Sequence, residues 1–220
     1  MMAISGSFYL AAWLLAALLG WQQNAQSEPL RDNAPERVAA SEPQIAVQLA
    51  QNLLDNGELL QKAKTDLQSL PEFQGKTLLI YNKVDFFNGT RPRIEVSLEN
   101  PALPNTLVFY TFEHGKWTKG EAEDVAHIKN LSRHLVPLAE VDFAQVPHIA
   151  QVWREKAKQV NAVEQEPYHV AFIWLPARNK RFWHTATLEA KGKQFYLSTH
   201  LDGSIWEFNG LSGSVVDENQ

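Results

Sequence analysis

The 220-residue chain has 45% apolar residues, including seven Trp and eleven Phe, enough for a packed core and too many for wholesale disorder. Its net charge of −5 is evenly spread, with ten Lys/Arg against twelve Asp/Glu in residues 1–120 and ten against thirteen in residues 121–220. Neither half is a basic footprint for nucleic acid, and the absence of cysteine excludes disulfides, thiolate metal sites and cysteine nucleophiles.

In chain order, the first feature is the unbroken apolar run FYLAAWLLAALLGW, Phe8 to Trp21. Fourteen residues are short for a membrane span and suit the apolar centre of a signal peptide. Ala25-Gln26-Ser27 offers a small-x-small cleavage site before Glu28, which makes residues 1–27 a signal peptide. The first seven residues hold no Lys or Arg, however, so an uncleaved membrane anchor over residues 1–21 stays open, with Trp21 at the interface. Both readings export the folded part. Residues 28–40 mix proline, charge and alanine without periodicity and read as a linker.

Ser41 and Pro43 then read as a helix start, and Ile45, Leu49 and Leu53 recur at helical spacing until Asn56-Gly57. A second helix carries Leu59, Leu60, Ala63, Leu67 and Leu70 up to Pro71. Strands are predicted over 77–84, 93–99 and 106–112, with 116–119 closing a hairpin. The pattern then restarts. Val125, Ile128, Leu131 and Leu135 suggest a helix, and Ile149, Val152, Trp153, Ala157 and Val160 suggest another that begins near Pro147. Strands over 169–175, 182–189, 194–201 and 204–208 complete it, and 211–220 reads as a frayed tail.

Three short matches fall inside corresponding elements. Lys62-Ala63-Lys64 lies on Lys156-Ala157-Lys158, Leu98-Glu99 on Leu188-Glu189, and Gly115 on Gly203, at offsets of 94, 90 and 88. They predict an α+β fold of two tandem ααβββ modules, 41–120 and 121–210, each with helices followed by a three- to four-stranded antiparallel sheet.

A turn at Lys191-Gly192 would pair Glu189 with Gln194, His184 with Thr199 and Trp183 with His200. That register puts Phe182, Ala186, Leu188, Phe195, Leu197, Leu201, Trp206 and Phe208 on the core side. Trp183, Thr185, Thr187, Glu189, Tyr196, Ser198, His200, Ile205 and Glu207 fall on the other side, and polar residues with a few large aromatics suit a binding face. Cover by the other module's sheet or by a helix is the alternative.

A helix followed by three antiparallel strands and a turn such as Leu201-Asp202-Gly203-Ser204-Ile205-Trp206 resembles the PepSY domain, best over 160–220 and less well over 90–120. Two such modules are also similar to β-lactamase-inhibitor-protein-like architecture, and in shape to small ααβββ outer-membrane assembly lipoproteins. This chain departs from the inhibitors in lacking disulfides and from the lipoproteins in lacking a lipobox cysteine. The resemblance implies a role in binding or restraining a peptidase in a cell envelope, and it assigns no individual residue.

Sequence motifs for catalysis are missing: there is no G-x-G-x-x-G, G-x-S-x-G, P-loop or H-E-x-x-H. His127 and His134 are seven residues apart, about 10 Å along a helix, too far to share a metal. Glu121, Glu123 and Asp124 read as helix-start carboxylates. No catalytic residue, metal ligand or cofactor is therefore expected.

Two strand-joining loops carry clustered cations, Arg91 and Arg93 in one and Arg178, Lys180 and Arg181 in the other. Such clusters grip anionic partners, or simply keep a hairpin tip soluble. The candidate binding site is accordingly Arg178, Lys180 and Arg181 beside Trp183, Tyr196 and His200. The expected function is that of an exported bacterial envelope protein, non-enzymatic, binding a protein or peptide partner through a sheet face, with inhibition of that partner as one form of the role. It would be periplasmic, or anchored in the inner membrane with its folded part outside the cytoplasm. A tethered structural factor of the envelope is the alternative, followed by a hydrolase or glycan-binding protein with a site at the module junction.

Overall fold

A computed structural model describes residues 52–212, with no side-chain account of 211 and 212. The signal peptide or anchor, the linker, the helix start at Ser41 and most of the tail lie outside the described residues.

Local sequence decides the first elements. The Asn52 side chain accepts from Leu54 N and caps a short 3-10 turn, Leu53–Asp55. The Asn56 side chain accepts from Leu59 N and caps helix α1, Gly57–Gln68. Asn56-Gly57 therefore opens a helix, because asparagine serves as an N-cap as readily as glycine ends a helix. Leu60, Ala63 and Leu67 on α1 are fully buried. Helix α2, Val146–Val160, has Pro147 in its first turn and buries Ile149, Ala150, Trp153 and Ala157.

Ten antiparallel strands make one sheet: β1 (Leu79–Phe87), β2 (Arg93–Glu99), β3 (Thr106–Glu113), β4 (Lys116–Asp124), β5 (Leu135–Pro137), β6 (His169–Leu175), β7 (Lys180–Thr185), β8 (Leu188–Ala190), β9 (Lys193–Thr199) and β10 (Ile205–Ser212). Their order is β10-β9-β7-β6-β1-β2-β3-β4, with short β5 added to β1 and β8 to β9.

This overturns the two tandem modules. Strands β1 and β6, placed by the sequence reading in different modules, pair directly at the centre of the sheet, from Lys83–Ile173 to Phe87–His169. The main core runs without a break from Leu53 and α1 through β1–β3 to Val170, Phe172 and Trp183. The fold is sheet-dominated, with two α-helices among the described residues. Short matches such as Leu98-Glu99 on Leu188-Glu189 reflect similar hairpin chemistry and not separate domains. The resemblance to PepSY and inhibitor modules had rested on that division.

The helix predicted from Val125 to Leu135 is absent too. Strand β4 continues to Asp124, pairing Ala122, Glu123 and Asp124 with Val108, Leu107 and Thr106. Asp124 then accepts from Ala126 N in a turn, which is its use in place of a helix start. Val125, Leu131, Ile128 and Leu135 gather around Leu107 and Tyr81 in a satellite cluster. Helical spacing arose there from a loop folding back on the sheet.

Register separates the two faces. Tyr110, Val96, Val84, Phe172, Trp183 and Thr199 form one row across six strands, all buried on the side where the helices pack. The next row, Thr111, Glu95, Asp85, Ala171, His184, Ser198 and Glu207, points the opposite way. Neither helix covers that face.

Gly203 shows how tightly the β9–β10 turn sits on α2. Its φ is +86°, and a Cβ there would lie 2.3 Å from the His148 ring. Gly203→Ala is expected to cost more than about 1 kcal/mol, read as a lower urea midpoint at unchanged slope.

Candidate functional site

The face that neither described helix covers is shaped at its β7–β10 end by two irregularities. The first is a break between β7 and β8. Strand β8 pairs Glu189 with Gln194, as the Lys191-Gly192 turn predicts. Strand β7 rejoins β9 one residue out of step, with His184 opposite Ser198 and Trp183 opposite Thr199. At the break, Ala186 N donates to His169 O, and the buried Trp153 Nε1 donates to Ala186 O at 2.7 Å. A one-residue slip exchanges the faces of a strand. Phe182 and His184 consequently face outward, while Trp183 is 1% exposed in the core.

The second is a bulge in β10. The register jumps from Ile205–Thr199 to Glu207–Ser198, leaving Trp206 as an extra residue. The bulge turns Trp206 onto the face already occupied by Glu207, where it meets Phe182 edge-on at 4.8 Å. Phe208, expected on the core side, is there and stacks with Phe195 at 5.5 Å.

A groove of about 540 Å³ results, lined by Leu175, Arg178, Phe182, Tyr196, Trp206 and Asn209 with His184, Ser198 and Glu207 between them. Its cationic end is the β6–β7 connection. Lys180 Nζ sits 3.1 Å from the centre of the Trp206 ring. His184 Nδ1 lies 3.2 Å from Ser198 Oγ. Burial pushes the His184 pKa below the ordinary histidine value, assisted by nearby His169 and opposed by Glu207. A neutral imidazole beside a serine is the nearest approach to a nucleophile–base pair. Among the described residues His184 hydrogen-bonds to no carboxylate that would orient it, so the triad arrangement is not assembled.

The sequence-predicted site residues therefore divide. Arg178 and Tyr196 line the groove, and Lys180 caps its tryptophan. His200 is exposed beside it, its ring 6.5 Å from that of Trp206. Trp183 and Arg181 belong to the opposite side. Arg181 contacts Glu140 at 3.0 Å and stacks on Trp174 at 4.7 Å. The first cation loop is neutralised locally, Arg91 by Glu113 and Arg93 by Glu95. Among the described residues Arg178 and Lys180 make no ion pair. Phe182 and Trp206, expected on the core side, both lie on the opposite face, because the bulge adds a residue and the ladder drops one; Phe182 stays buried there at 9% exposure, against the half-buried Trp206.

A second constellation, unseen in the sequence, lies further along the same face. Asp85 is 6% exposed, with Oδ1 2.9 Å from His169 Nε2 and Oδ2 2.8 Å from Lys83 Nζ. Burial works against its charge, but the His169 hydrogen bond and the Lys83 contact outweigh it and hold its pKa below the ordinary range. Phe87 stacks on His169 at 4.7 Å, and Arg93 covers Phe87 at 4.0 Å. A smaller hollow of about 330 Å³ adjoins, lined by Tyr81, Lys83, Asp85, Glu95, Ser97 and Phe109. Register could have found the Asp85–His169 pair, since Phe87 is opposite both Arg93 and His169, but only once β1 and β6 were known neighbours. Among the described residues no group of three or more His, Asp or Glu side chains is placed to hold a metal ion. No helix there is long and apolar enough to cross a membrane.

No protein family matches this chain, and no curated protein matches it. Among solved structures it is similar to a candidate lipoprotein from Clostridium difficile 630, at 10% identity and a TM-score of 0.44, over 67% of this chain and 91% of that one.

Proposed function

We propose that this is an exported bacterial envelope protein, non-catalytic, that binds a protein or peptide partner through the sheet face opposite the two described helices. One observation carries the binding reading: both described helices pack on one side, and the other side bears an aromatic groove flanked by cations that form no ion pair among the described residues. Large rings with a few polar groups between them are the composition of recognition surfaces. The apolar run Phe8 to Trp21 supports export, and it favours a periplasmic protein when cleaved or an inner-membrane-anchored one when retained. The missing basic residues ahead of that run keep a tethered structural role as the second reading.

A photo-crosslinking residue placed at Tyr196, and separately at Thr65 on the exposed side of α1, tests the face. In the producing cell, the Tyr196 position is expected to give a discrete adduct that disappears with Trp206→Ala, while Thr65 gives none. Equal adducts from both positions would defeat the reading.

A further inference from the structure

We propose that the groove recognises the free carboxyl terminus of a peptide whose last side chain is large and apolar. This rests on the binding reading above and names its ligand. The groove is graded along the strands. At the β6–β7 end stand Arg178 and Lys180, two cations with no ion-pair partner among the described residues of a chain whose net charge is −5. Next come the Phe182 and Trp206 rings. One register step further are His184, Ser198 and Glu207, which offer acceptors and a hydroxyl.

A peptide end matches this order of chemistry. Its terminal carboxylate is an anion that accepts from guanidinium and ammonium groups, and a guanidinium takes it bidentately. Its last side chain packs on the half-buried Trp206 ring, which Phe182 supports from the side. Its backbone N–H groups then meet the Ser198 and Glu207 oxygens. A ring quadrupole attracts a cation without neutralising it, so the Trp206 ring does not stand in for an anion beside Lys180. Peptide-end capture by clustered donors is a recurrent mode of recognition. An inorganic anion would use only the cationic end and leave the rings idle; an uncharged sugar would use the rings and leave the cations idle.

Fluorescence polarisation on the full-length chain in detergent decides it. The probe is a fluorescein-labelled hexapeptide ending in phenylalanine, prepared as the free acid and as the C-terminal amide. The acid is expected to bind about tenfold more tightly than the amide. Arg178→Gln with Lys180→Gln, one exposed and one half-buried and checked for an unchanged near-UV dichroism spectrum, is expected to remove that preference, read as the ratio of acid to amide affinity in the same variant. Equal affinities for acid and amide would overturn the proposal, as would an acid preference that survives the double substitution or no binding of the acid up to about 1 mM. Because the Tyr196 adduct is read separately, its persistence beside any of these results discards the carboxylate and keeps the face.

Discussion

Trp183→Ala is expected to lower the free energy of unfolding by about 3–5 kcal/mol, the range for deleting a fully buried Trp or Phe. The side chain is 1% exposed and packs against Phe172 at 5.8 Å and Phe86 at 6.1 Å. Those partners come from β6 and β1, so the indole helps join the strands that make two meanders into one sheet. Removing it leaves a void that strand backbones, fixed by ladders on both sides, close only in part. Stability is about 5–15 kcal/mol for ordinary domains, so the variant forfeits a large fraction of it. Urea denaturation provides the reading, with Tyr196→Ala as the contrast. Tyr196 is half-buried on the open face, where truncation costs under about 1 kcal/mol. A Trp183→Ala protein of undiminished stability would mean that β7 runs against β9 in the other register, and the groove would go with it.

That contrast also shows what a sequence can and cannot convey about such a sheet. Strands over 93–99 and 169–175 were legible to the residue, because alternation and β-branched content are local properties. Helix α2 was legible from Trp153, Ala157 and the early proline. Even the Glu189–Gln194 pair followed from its glycine turn. What failed was everything set by contacts distant in sequence. The Val84–Phe172 pairing joins positions 88 apart, and no local pattern distinguishes one sheet of ten strands from two smaller ones. The break after Thr185 is held by Trp153 from another element, so a reader extending the ladder from its turn arrives at Trp183 one residue out. Of the candidate groove, Arg178 and Lys180 were named as a loop cation cluster, and Tyr196 and His200 by the alternation of their strand. Trp206 and Phe182 were missed because their outward placement depends on one bulge and one slip.

Asp85 is the position where the same face should reveal itself in a pH titration. Asp85→Ala removes a nearly buried carboxylate and leaves His169 without its 2.9 Å partner. Breaking a fully buried ion pair costs about 3–5 kcal/mol. Lys83 is 59% exposed and can return its charge to water, so the expected loss at pH 7 is nearer 2 kcal/mol. The sign of the pH effect follows from the direction of the shift. The folded protein holds Asp85 ionised more strongly than the unfolded chain does, despite the burial that opposes it. Its contribution is therefore complete above the ordinary aspartate value of about 3.9 and disappears as pH falls through the lower, folded-state value. Wild type and Asp85→Ala should differ most at neutral pH and converge in acid, when Asp85 takes up its proton and Lys83 faces a neutral group. Urea midpoints collected from pH 7 to pH 2.5 measure the gap directly. If it stays constant across that range, the carboxylate supports the sheet by packing alone, and its charge does not hold β1 to β6.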